Sequence, residues 1–120
     1  MKKTFIAFSF LIACTAVANA QEAVLIKDEA TFLKQIADKR WTHSYGKTWL
    51  KVNRNGTLVG DSPNGKLAIT WEWKGKNWCR KGKVGQTELK EECQKFYMIG
   101  DRIMKNVTKS APEGNYYFLK

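Results

Sequence analysis

The sequence predicts a mainly β protein with one N-terminal helix: a small antiparallel meander that closes into a barrel or a half-open sandwich and carries one disulfide. Three observations predict it. Between Thr48 and Leu119, short segments with apolar alternation recur between polar turns such as Arg54-Asn55-Gly56, Pro63-Asn64-Gly65 and Gly100-Asp101. Those turns hold the residue types that tight reversals need. A single stretch, Asp28 to Lys39, has helical spacing. Of three cysteines, Cys79 and Cys93 remain as an even pair once the first 20 residues are set aside.

Those first residues have the pattern of a secretory signal peptide. Lys2 and Lys3 precede an apolar run from Phe5 to Val17, and Ala18-Asn19-Ala20 offers small residues for cleavage before Gln21. The run is shorter than the roughly 20 residues a transmembrane helix needs. Leu11-Ile12-Ala13-Cys14 also fits a bacterial lipoprotein signal, in which Cys14 would be lipidated and become the N-terminus. Residues 21–120 then form a single exported β-rich domain, periplasmic or extracellular. Its size permits one small core and excludes a nucleotide-binding doubly wound fold or a (β/α)8 barrel.

The chain holds 21 Lys and Arg against 11 Asp and Glu, and only Lys2 and Lys3 of these precede residue 21, so the exported part has a formal charge of +8. Such a charge attracts anionic partners, phosphorylated headgroups and acidic polysaccharides among them, and equally serves solubility. The bases are spread from Lys27 to Lys120 with no arginine block and no nucleic-acid-binding motif. Nucleic acid is therefore not an expected partner.

In chain order, Asp28 and Glu29 lie at the start of the helical stretch and Lys39-Arg40 at its end, while Phe32, Leu33 and Ile36 share a face. The expected strands are Thr48–Asn53, Thr57–Gly60, Leu67–Lys74, Asn77–Val84, Lys90–Met98, Arg102–Val107 and Tyr116–Leu119. In the third, Leu67, Ile69, Trp71 and Trp73 alternate with Ala68, Thr70, Glu72 and Lys74. A hairpin over Lys74-Gly75-Lys76-Asn77 sets Trp73 opposite Trp78, Glu72 opposite Cys79 and Trp71 opposite Arg80. Arg80 then shares the aromatic face. Cys79 points away from it, and bonding to Cys93 on a neighbouring strand turns Gln94, Phe96 and Met98 toward that face.

In an oxidising compartment Cys79 and Cys93 form a structural disulfide. The C-x-x-C spacing of redox sites is absent, and two cysteines with the lone His43 do not make a zinc set. No metal and no cofactor are expected. Arg80, flanked by Trp71, Trp78 and Gln94, is the candidate polar end of a ligand pocket in the barrel mouth, or else its stem merely covers Trp71. Trp41, Tyr45 and Trp49 are candidates for a partner-binding surface on an exposed loop from Trp41 to Trp49, and Lys81 to Thr87 is a second loop that could dock. His43 lies near Ser44 and Tyr45, but a lone histidine beside aromatics more often serves as a hydrogen-bonded edge residue than as a base. Glu91 and Glu92 are adjacent on a strand and face opposite ways, so they do not make a catalytic pair. Asn55-Gly56-Thr57 and Asn106-Val107-Thr108 match the glycosylation sequon, which carries little weight in bacterial export.

The order Trp71-Glu72-Trp73, Trp78-Cys79-Arg80, Cys93-Gln94 and Gly100-Asp101, after an Asn-Gly turn, resembles a group of small secreted alphaproteobacterial β-domains with a W-x-W…W-C-R…C-Q core. The resemblance spans nearly all of residues 21–120 and implies an exported domain. Some members of the group carry a dihydrodipicolinate reductase label. That chemistry requires a nucleotide-binding fold, and this chain has no G-x-G-x-x-G after a strand. Its Asn106–Ala111 segment also departs from the acidic, glycine-rich stretch of the group. The sequence therefore leads to a non-enzymatic exported domain that binds an anionic or amphipathic envelope molecule. The alternative is a secreted inhibitor or effector that docks on an acidic protein partner through an aromatic and basic loop.

Overall fold

The computed structural model describes residues 21–43 and 48–120, which form nine strands and one helix. In chain order these are β1 (Ala23–Leu25), α1 (Glu29–Gln35), β2 (Arg40–His43), β3 (Trp49–Val52), β4 (Thr57–Asp61), β5 (Leu67–Lys74), β6 (Asn77–Val84), β7 (Thr87–Ile99), β8 (Ile103–Val107) and β9 (Asn115–Leu119). The candidate signal peptide, with Cys14 and Ala20, lies outside the described residues, as do Ser44 and Tyr45.

The sheet runs β1-β7-β6-β5-β4-β3-β2-β9-β8, and β8 pairs again with β7. That second pairing closes an antiparallel eight-stranded barrel and leaves β1 as an extra strand. The 13 residues of β7 make this possible: its first part, to Gln94, pairs with β6, and from Lys95 onward it pairs with β8. β1 adds beside Tyr97–Ile99, next in line after β6. The β5–β6 hairpin has the expected register, with Trp73 opposite Trp78, Glu72 opposite Cys79 and Trp71 opposite Arg80.

The register between β6 and β7 shifts between Arg80 and Gly82. Gly82 has φ 139°, and a Cβ there would collide with the Ala68 carbonyl on β5. Only glycine combines that backbone angle with so close a neighbour.

Helix α1 is shorter than the Asp28–Lys39 stretch. Asp28 caps it by accepting a 2.8 Å hydrogen bond from the Thr31 backbone N–H. It ends at Ile36 because the chain turns onto the barrel: Asp38 takes φ 65°, donates its backbone N–H to the Val52 carbonyl, and binds Arg54 Nε through its carboxylate at 2.7 Å. The next residues, read from sequence as the start of an exposed loop, form strand β2.

One end of the barrel is filled by the helix. Phe32 is fully buried, its ring 5.3 Å from Trp71, 5.4 Å from Trp73 and 5.4 Å from Phe96. Ile26, Ile36, Val52, Met98 and Met104 complete the packing. On the outside of the wall Cys79 and Cys93 are directly opposite and bonded, with Cα atoms 4.0 Å apart.

Candidate functional site

Away from the helix the interior changes character. Inward positions of β6, β7 and β8 hold Arg80, Glu92, Gln94 and Asn106, where an ordinary core would place aliphatic side chains. They form one hydrogen-bonded chain. Asn106 Nδ2 donates to Gln94 Oε1 at 2.6 Å, Gln94 Nε2 donates to Glu92 Oε1 at 2.9 Å, and Arg80 Nη2 donates to the same oxygen at 2.8 Å. Arg80 Nη1 is held by the Lys90 carbonyl at 2.9 Å. Gln94 and Asn106 are buried, and the Arg80 and Glu92 side chains are 18% and 26% exposed, so the chain climbs from the core toward solvent.

Aromatic rings form the floor beside it. Trp78 lies 6.1 Å from Trp41 and 5.3 Å from Phe96, and Trp41 meets Phe96 edge-on at 5.4 Å. Trp71 donates its indole N–H to the Asn53 carbonyl, and Trp73 to the Gly75 carbonyl. The indole N–H groups of Trp41 and Trp78 have no hydrogen-bond partner although both are buried, and Asn106 Oδ1 is in the same condition. A buried polar atom without a partner costs about 1–3 kcal/mol. Three of them around one aromatic floor mark hydrogen-bonding capacity that the protein itself does not use.

At the end opposite the helix, a cleft of about 170 Å³ opens among Trp41, His43, Leu50, Pro63, Leu67 and Tyr117. His43 and Tyr117 pack edge to face at 5.2 Å, and Tyr117 lies 5.6 Å from Trp41. Trp41 thus belongs both to the aromatic floor and to the cleft.

Trp71, Trp78, Arg80 and Gln94 share the inner face, and Arg80 donates to Glu92 and to the Lys90 carbonyl. Trp71 is a packing residue with its N–H satisfied. Trp41 and Trp49 do not form one exposed patch: Trp41 points into the barrel and is 2% exposed, whereas Trp49 faces outward under the Arg40 guanidinium at 4.0 Å. The physical reason is strand alternation on β2 and β3, which Trp41 and Trp49 enter with opposite facing. Glu91 and Glu92 face opposite ways, as expected, Glu91 outward to Lys74 and Glu92 inward to Arg80. Sequence reasoning missed Asn106, which it met only as a sequon. Its burial removes it as a glycosylation acceptor. The signal was present in the alternation Met104, Asn106 on a strand facing Phe96 and Met98.

The class these features define is a disulfide-bonded, closed antiparallel eight-stranded barrel, plugged at one end by a helix and polar on one inner side. The disulfide points to an oxidising, exported environment, and no helix among the described residues is long and apolar enough to cross a membrane. Compared with known proteins, the chain matches no family model, no curated protein and no solved structure.

Proposed function

We propose that the protein is a non-enzymatic exported binding domain, and that it takes the polar head of an anionic or amphipathic envelope molecule at the open end of the barrel. The observation that carries this is the set of unpartnered buried atoms: two indole N–H donors, on Trp41 and Trp78, and one acceptor, Asn106 Oδ1. Indole donors suit a carboxylate, phosphate or carbonyl oxygen, and the amide oxygen suits a hydroxyl or amine. The cleft is smaller than the roughly 300–1,000 Å³ of a drug-sized site, so a head group enters and the remainder lies across the mouth.

In this reading Arg80 is a positioning residue. Its charge-assisted bond fixes Glu92, Glu92 accepts from Gln94, and Gln94 accepts from the Asn106 amide, which leaves Asn106 Oδ1 facing away from the chain. Of the aromatic residues offered for the docking alternative, Trp49 faces outward with Arg40 stacked on it, and the second loop, Lys81 to Thr87, is the exposed β6–β7 hairpin.

Trp78→Phe tests the assignment, because it keeps the ring and removes the donor. Protein recovered from an envelope extract should carry a bound molecule visible by native mass spectrometry, and the variant should hold it about five- to tenfold more weakly. Wild-type protein free of any adduct, or an adduct held equally by Trp78→Phe and Asn106→Leu, would end this reading.

A further inference from the structure

The outside of the barrel divides into two unlike walls. On β5, β6 and the first part of β7, outward side chains carry both signs of charge and pair: Lys74 Nζ lies 2.8 Å from Glu91 and 3.5 Å from Glu72. The opposite wall is built from the last part of β7 with β8, β9, β2 and β3. There the registers stack two outward rows. Tyr97 stands opposite Lys105, and Lys105 opposite Tyr116. In the next row Ile99 faces Ile103, Ile103 faces Phe118, Phe118 faces Thr42 and Thr42 faces Trp49.

Phe118 is 50% and Tyr116 42% exposed, and the rest of these side chains are half-buried. The cations sit on the rings. Lys105 Nζ is 5.4 Å from the Tyr97 ring and 5.9 Å from the Tyr116 ring, and the Arg40 guanidinium is 4.0 Å from Trp49. Alternation also turns Lys51 and Lys120 outward on this wall, while Lys95 donates to Asn77 Oδ1 on β6 at 3.1 Å; the strand carboxylate that the registers bring beside these rows is Asp61, opposite Trp49 on β4, and Glu113 flanks Gly114, which abuts the Lys105 stem.

A protein partner and a bilayer surface make different demands on such a face. Protein interfaces keep lysine out of their centre, because a buried ammonium without a carboxylate is costly. Here Lys105 lies between two tyrosines, in the middle of the wall. At a bilayer surface the same arrangement is favourable: aromatic rings enter the headgroup zone, and lysine and arginine stems lie along them while their charges reach the phosphates. We propose that this wall docks the protein on a bilayer surface bearing anionic headgroups, with Phe118 and Tyr116 entering the interface and Lys105 and Arg40 at phosphate level. The docking face is on the outer wall and does not depend on the site inside the barrel.

Co-sedimentation with vesicles of phosphatidylcholine containing phosphatidylglycerol, against vesicles of phosphatidylcholine alone, tests it. The protein should partition onto the anionic vesicles and release as salt rises. Lys105→Gln should weaken partitioning roughly fivefold and Phe118→Ser roughly tenfold, with Phe118→Trp restoring it. Lys81→Gln, on the opposite wall, should change it by less than about twofold. Should Phe118→Ser lose its near-UV circular dichroism, Lys105→Gln against Lys81→Gln gives the decision alone. Absence of partitioning, equal losses from Lys105→Gln and Lys81→Gln, or retention by soluble heparin in place of vesicles would each overturn the proposal.

Discussion

Arg80 shows what a single side chain does here and how it can be read. The register that pairs Cys79 with Cys93 also sets Arg80 opposite Glu92, so their bond was legible once the disulfide was placed. Alternation with Met104 placed Asn106 inward, but its bond to Gln94 was not legible, because that neighbour is fixed by the β7–β8 register, which no residue pair in the sequence announces. Arg80→Met should destabilise the protein by about 1–3 kcal/mol in chemical denaturation, since it leaves the Glu92 carboxylate inside the wall without its cation. Arg80→Met combined with Glu92→Leu should recover part of that loss, which a double-mutant cycle measures. At the surface, Asp28 and Asp38 titrate below the ordinary carboxyl value of 3.8, Asp28 because it accepts the Thr31 backbone N–H and Asp38 chiefly because of its hydrogen bond from the Arg54 side chain. A carboxyl held low in the folded state contributes stability above its unfolded pKa and loses it as pH falls through the folded one. The melting temperature should therefore decline modestly on acidification below about pH 4. Asp38→Asn, which keeps the left-handed backbone accessible, should flatten that decline.

At the scale of elements, strands with clean alternation were legible and those without it were not. β5 and β6 match the expected segments residue for residue because the inner face of β5, from Leu67 to Trp73, is apolar throughout and the turn between the two strands holds Gly75. β1 and β2 are three and four residues long and lack an alternation signal of their own, so long-range pairing alone makes them strands. The helix was legible in its start, where Asp28 caps it. Its end was not, because Asp38 leaves the helical path to bind Val52 and Arg54, contacts distant in sequence. Replacing both Cys79 and Cys93 with Ala should cost about 2–5 kcal/mol, read as a lowered denaturation midpoint, and native protein should show no free thiol at either position. Phe32→Ala should cost about 3–5 kcal/mol, because it empties the contact between helix and barrel without room to collapse.

For the whole molecule, the sequence distinguished a meander from other folds but left a closed barrel and a half-open sandwich equally available. Consecutive hairpins, β7–β8 among them, follow from local turns, whereas closure needs β2 beside β9, which joins residues far apart in the chain. The candidate export signal predicts a processed protein that begins at Gln21 and carries no lipid; intact mass decides it, and a diacylglyceryl group on Cys14 would place the domain on a tether instead. Closure also imposes a schedule. Among the described strands β9 is the last to be made, yet in space it is the stave between β2 and β8, so early strands wait for a late one. Until it arrives, β2 and β8 keep open edges of the kind that recruit foreign strands. A chain whose ring completes only at its final stave stays threadable through a narrow conduit for most of its synthesis, and it commits to its shape late, slowly and all at once.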